Sequence, residues 1–160
     1  MKITFIATGG TIDKDYPKQI KGYAFEFGEP AVQRILKGWK PNFEFEVLCP
    51  FQKDSLEITE KDREALMHCI KNCNADRFII THGTDTMIET GKFLSEHIST
   101  KKIIITGAMR PERFSNSDAK VNVGGAVAAL QVVEDGVYIF MSGILKLANV
   151  MKRSEEGLFH

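Results

Sequence analysis

The stretch FIATGGTI, residues 5–12, starts as an unbroken apolar run and then breaks into two glycines bracketed by two threonines. A run that short, ending in a Gly-rich turn, reads as a buried strand that delivers a tight turn at its carboxyl end. Four further short apolar runs follow at fairly regular intervals: FEFEVL (43–48), RFIITHG (77–83), KKIIITG (101–107) and GVYIFMSG (136–143). The runs at 3–8, 77–83, 101–107 and 136–143 are solid blocks of Ile, Val and Phe, as strands covered on both faces are. FEFEVL alternates instead, like a half-exposed edge strand.

Helical patterns fall between these runs. Residues 59–72 open with TEKD, a capping-box-like start, and place Leu66, Cys69, Ile70 and Cys73 on one face. A second helix opens at DTMIE, a third spans roughly residues 118–134 with an Ala- and Val-rich buried face, and a shorter one, PAVQRILKG, runs from Pro30 to a C-terminal Gly38. Strands alternating with helices of this length imply right-handed crossovers. The expected fold is a single α/β domain over residues 1–160, a doubly wound, mostly parallel sheet flanked by helices in three layers, flavodoxin- or Rossmann-like. The segment DKDYPKQIKGYAFEFGEP, residues 13–30, is rich in Gly, Pro, Lys and Tyr and reads as a mobile loop over a site.

Composition narrows the function. The chain has 21 basic and 21 acidic residues, so it lacks the positive field that nucleic-acid or anionic-membrane binding needs. Cys49, Cys69 and Cys73 are odd in number, the N-terminus turns polar too soon for a signal peptide, and no apolar run is long enough to span a bilayer. These features point to a cytoplasmic protein with a small-molecule partner. Cys69 and Cys73 lie on the apolar face of a helix and, with His68, read as structural rather than as a metal site.

In an open parallel sheet, ligands bind at the carboxyl ends of the strands where the strand order reverses. Three turns should converge there: ATGGTI (7–12), THGTDT (81–86) and TGAMRP (106–111). Glycine lets a ligand approach the main-chain N–H groups, while hydroxyls and one carboxylate, Asp85, supply reactive groups. Each turn alone could simply cap a helix. A dinucleotide site is disfavoured because GGTI is not G-x-G-x-x-G, and a P-loop is excluded because no G-K-[ST] occurs. His82 reads as a packed or hydrogen-bonded turn residue rather than a general base.

ATGGTI followed by THGTDTM resembles the two signature motifs of the bacterial-type L-asparaginase family, and the resemblance continues through ITGAMRP, SNSDAKVNVGGAV and ANVMKRS. It implies that Thr11 is the nucleophile and that Thr84, Asp85 and Lys152 form the family's Thr-Asp-Lys set. Lys152 would hold or accept a proton in a desolvated pocket, where a lysine pKa falls, and Thr84 would relay it. Asp85 would grip the ammonium of an amino-acid substrate, and Ser55 its carboxylate. Backbone around Gly10, Gly83 and Ala108 would bind substrate and stabilise the oxyanion. Tyr23 matches the tyrosine that closes beside the nucleophile, with Tyr16 in the same loop as the alternative.

The family pattern is about twice this length, with a second α/β domain that the resemblance does not reach. Leu56 and Glu57 stand where the periplasmic-type enzymes carry glutamine and aspartate. The resemblance implies no cofactor and no metal. It implies a small amide or amino-acid ligand and a homo-oligomer, because the family builds its sites at subunit contacts. The leading expectation is an amidohydrolase of asparagine or a related small amide; the alternative is a weakly active or non-catalytic domain that binds a small amino acid or needs a partner subunit. An amidotransferase component acting on tRNA is disfavoured by the neutral charge.

Overall fold

The computed structural model describes residues 1–18 and 24–160. Its strands are β1 (Lys2–Ala7), β2 (Lys14–Asp15), β3 (Glu26–Phe27), β4 (Glu44–Leu48), β5 (Arg77–Thr81), β6 (Lys102–Thr106), β7 (Gly136–Met141) and β8 (Ile144–Leu147). The helices are α1 (Ala31–Trp39), α2 (Glu60–Asn72), α3 (Met87–His97) and α4 (Ala119–Leu130). Six strands form one sheet in the order β4-β1-β5-β6-β7-β8, and β2 pairs with β3 separately. All neighbours in the large sheet are parallel except β7 and β8. The chain runs from β1 outward to β4 and then returns to place β5 on the other side of β1. The strand order therefore reverses between β1 and β5, which is where such a sheet opens a crevice.

Alternation along the strands splits the core into two layers. Ile3, Phe5, Ile79 and Ile104 pack with Val32, Leu36, Val123 and Leu130 beneath α1 and α4. Ile6, Ile80, Ile103 and Ile105 pack on the opposite face with Leu66, Ile70, Met87 and Leu94 from α2 and α3. Covering both faces explains why the central strands read as continuous apolar blocks. FEFEVL is an edge strand, as its pattern predicts.

Three differences from the sequence reading have local causes. β8 emerges as an antiparallel edge because Ser142 (φ 52°) and Gly143 (φ 83°) both take the left-handed conformation that a two-residue hairpin requires. Gly38 does not end α1: the helix continues to Trp39, and Lys40, at φ 55°, takes the left-handed position and donates its N–H to the Leu36 carbonyl at 2.9 Å. α4 stops at Leu130, short of residue 134, with the N–H groups of Val132 and Val133 turning back to the Ala129 carbonyl. The capping box at α2 forms as read, with Thr59 and Asp62 exchanging hydrogen bonds.

Candidate active site

The turn after β1 is fixed by pairing across to the segment before Ser55. The Gly10 N–H donates to the Lys53 carbonyl at 2.9 Å, and the Lys53 N–H donates to the Thr8 carbonyl at 3.0 Å. Gly9 and Gly10 have φ of 99° and 81°, a region that favours glycine. A β-carbon on Gly9 would strike the Lys53 backbone, and one on Gly10 would strike the Gly83 backbone. The chain then enters a short 3-10 turn, Thr11–Asp13, with Thr11 at its start and half-buried.

The turn after β5 meets this one directly. A β-carbon on Gly83 would sit 2.5 Å from Ser55 Oγ and 3.2 Å from Gly10 Cα, and one on Gly107 would strike the His82 carbonyl. Gly10, Gly83 and Ser55 thus share one contact, and Thr11 and Thr84 each lie one residue from it. Ser55 is 2% exposed, and its carbonyl accepts the Thr86 hydroxyl at 2.7 Å. Thr84 and Ala108 are buried. The turn after β6 is shaped by Asp118, whose carboxylate accepts the Met109 N–H at 3.0 Å, and by the buried Asn122, whose amide donates to the Gly107 carbonyl at 3.0 Å.

His82 is fully buried, with Nδ1 2.8 Å from the Gly83 carbonyl and Nε2 2.9 Å from the Thr90 hydroxyl. Burial pushes its imidazole down to about 4. It braces the turn rather than facing solvent. Asp13 is fully buried at the end of the Thr11 turn; Oδ1 accepts the Ala31 N–H at 2.7 Å, at the start of α1, while Oδ2 has no partner among the described residues. Burial raises its carboxyl to about 6, against the opposing pull of the Ala31 N–H and Arg34.

The expectation of a desolvated lysine is not met, because the Lys152 side chain is exposed. Its neighbour Arg153 is the cation at the turn after β5. Its Nη1 donates to the Thr84 carbonyl at 3.1 Å and to Asp85 Oδ1 at 2.9 Å, and its guanidinium lies 5.5 Å from the Phe159 ring centroid. The stretch KRSEEG, residues 152–157, mixes both signs of charge and in the sequence reads as surface apart from Lys152. Nothing in the sequence sets Arg153 apart; the alternation of buried Met151, exposed Lys152 and half-buried Arg153 exists only in the folded chain. Asp85 itself is exposed and engaged by this pair.

Tyr23 lies outside the described residues. Tyr16 packs in a triangle with Phe25 and Phe114, at centroid distances of 5.6 and 6.1 Å. Within the segment read as a loop, β2 and β3 pair, and Tyr16 and Phe25 dock on the turn after β6. No group of three or more His, Cys, Asp or Glu side chains among the described residues is arranged to hold a metal. No helix among the described residues is long and apolar enough to cross a membrane.

A family model described as "Asparaginase, N-terminal" matches residues 2–157. The probable periplasmic L-asparaginase of Haemophilus influenzae is 30% identical over 131 residues, covering 78% of this chain and 37% of that protein. The glutaminase-asparaginase of Acinetobacter glutaminasificans is 28% identical over 151 residues, covering 88% of this chain and 46% of that protein. The structure of the thermostable L-asparaginase from Thermococcus kodakarensis superposes with a TM-score of 0.86 at 24% identity, covering 100% of this chain and 51% of that one. The chain thus spans about half the length of that structure, and less of these two curated relatives.

Proposed function

The chain belongs to the asparaginase family, matching its N-terminal domain, and from that premise we propose that it is an amidohydrolase that releases ammonia from asparagine or a related small amide. The observation that supports the reading is the shared contact of Gly10, Gly83 and Ser55 at the strand-order switch, one residue along the chain from Thr11 and from Thr84. Thr11 Oγ1 attacks the amide carbonyl carbon. The oxyanion that forms is stabilised by backbone N–H groups of the Gly10, Gly83 and Ala108 turns. Collapse breaks the C–N bond, and the proton lost by the hydroxyl leaves with ammonia. Water then hydrolyses the acyl-threonine and restores the hydroxyl.

A permanently charged guanidinium cannot accept the Thr11 proton, so Arg153 is not the base. In this proposal Lys152 takes that role on turning inward, with Thr84 as relay. Asp85 grips the substrate ammonium in exchange for Arg153. Their side chains are 49% and 23% exposed, and a pair of that exposure is worth roughly 0–1 kcal/mol. Displacing it costs less than about tenfold in affinity. Ser55 binds the substrate carboxylate, and Tyr23 closes the site. A homo-oligomer belongs to the same proposal, and sedimentation of a monomer at assay concentration would remove it.

The test is ammonia release from asparagine, glutamine and small amides by wild type and Thr11→Ala. Release that disappears in the variant supports the reading. A folded wild type inert on every amide overturns it.

A further inference from the structure

Helices α1 and α4 flank a cleft of about 380 Å³ on the face of the sheet they cover. Ile35, Gly38 and Trp39 form its α1 side, and Lys120 and Gly124 form its α4 side. None of the proposed catalytic or substrate-binding residues lines it.

The two glycines are informative. Glycine inside a helix costs stability relative to alanine and usually has a packing reason. Gly91 and Gly125, also helical, have one: a β-carbon there would strike Ala148 or Phe140. A β-carbon on Gly38 or Gly124 would meet nothing within 4 Å. These two glycines leave open space, and both line the same cleft.

The charge in the cleft is positive. On its floor Arg34 Nε binds Glu112 Oε2 at 2.8 Å, with the side chains only 15% and 9% exposed, so this pair cancels. Arg34 Nη1 donates to the Glu29 carbonyl, while Nη2 is buried with no partner among the described residues. Lys120 forms no ion pair among the described residues and lies at the junction with an adjoining polar cleft of about 270 Å³, which adds Ser115, Ser117 and Arg113, the last already paired with Asp15 at 2.8 Å, so that the free cation there is Lys120. An apolar end thus adjoins a cationic, hydroxyl-bearing end. That combination suits a small amphipathic anion.

We propose that the α1–α4 cleft binds a small organic anion, its apolar body against Ile35 and Trp39 and its carboxylate or phosphate at Lys120. The site is independent of the amide chemistry proposed above. Trp39 is the chain's one tryptophan, so its fluorescence reports on the cleft directly.

The experiment titrates wild type with cyclohexanecarboxylate and phenyl phosphate, and with cyclohexylmethanol and inorganic phosphate as the neutral and body-less controls. The organic anions should change Trp39 emission saturably and bind at least about tenfold more tightly than either control, the share expected of one charge-assisted contact. Lys120→Ala should weaken them by about tenfold. Gly124→Leu and Gly38→Leu should each abolish the response by filling the cleft, with an unchanged circular dichroism spectrum showing that the fold survives. Thr11→Ala should bind like wild type. The proposal is overturned if cyclohexylmethanol binds as tightly as the acids, if no probe gives a saturable change, or if Lys120→Ala and the folded leucine variant leave binding intact.

Discussion

Gly10 and Gly83 are in backbone contact across the strand-order switch: a β-carbon on Gly10 would lie 2.9 Å from the His82 carbonyl carbon and closer still to Gly83. Gly10 also has φ 81°, so alanine there meets both a clash and an unfavourable backbone region. Gly10→Ala should lower stability by about 2–5 kcal/mol, the sum of overpacking and left-handed strain. Gly124→Ala, which meets no neighbour, should be neutral or raise stability by up to about 1 kcal/mol. Thermal melts of the two variants decide it, and equal effects would refute the contact.

The neighbours Lys152 and Arg153 should separate kinetically. Loss of a proton acceptor typically costs about 10²–10⁴-fold in rate, so Lys152→Met should lower kcat by at least about 10². Arg153→Met removes a competitor for the substrate ammonium at Asp85 together with the hydrogen bonds to the Thr84 and Gly157 carbonyls, none of which touches a reacting group. It should lower KM for ammonium-bearing amides by less than about tenfold and leave kcat nearly unchanged. If instead Arg153→Met eliminates turnover and Lys152→Met does not, Arg153 is the essential cation and the proton acceptor lies elsewhere.

The strands and three converging turns were legible because burial on both faces leaves continuous apolar blocks, and glycines mark where backbones touch. β2, β3 and β8 were not, since the first two are only two residues long and the third carries mixed, largely exposed residues. Arg153 was hidden for a different reason. Its reach depends on the 153–159 turn, where Arg153 pairs with Phe159 in an isolated bridge and its Nε donates to the Gly157 carbonyl. Spacing along the chain carries no record of such a turn. Asp13 was hidden as well, because its partner Ala31 is 18 residues away and a lone aspartate after a Gly-rich turn carries no pattern.

Phe114 is the aromatic through which the turn after β6 holds the β2–β3 segment. It packs at 6.1 Å from Tyr16 and 5.7 Å from Phe25, and the adjacent Arg113 pairs with Asp15 at 2.8 Å. At about 0.5–1.5 kcal/mol for each aromatic pair, Phe114→Ala removes about 1–3 kcal/mol of local docking. KM should rise several-fold while the melting temperature changes little. Limited proteolysis should cut faster within residues 14–18 and 24–27, and unchanged cutting there would show that the cluster does not hold β2 and β3.

Asp13 and His82 oppose each other in their effect on stability with pH. Asp13 is raised from 3.8 to about 6, so the folded state binds the extra proton, and stability present below pH 3.8 is lost as pH rises through about 6. His82 is lowered from 6.5 to about 4, so the unfolded state binds the extra proton, and stability present above pH 6.5 is lost as pH falls through about 4. A displacement of that size corresponds to about 3 kcal/mol for each group. The windows overlap, so these two contributions nearly cancel in wild type between about pH 4 and 6. Asp13→Asn keeps an oxygen for the Ala31 N–H and removes one side of the balance. Chemical denaturation of Asp13→Asn should show stability falling by about 3 kcal/mol from pH 7 to pH 4, a slope absent from wild type. His82→Gln should show the reverse slope. Parallel profiles for wild type and Asp13→Asn would mean that Asp13 stays ionised when buried, with Arg34 outweighing the loss of solvent.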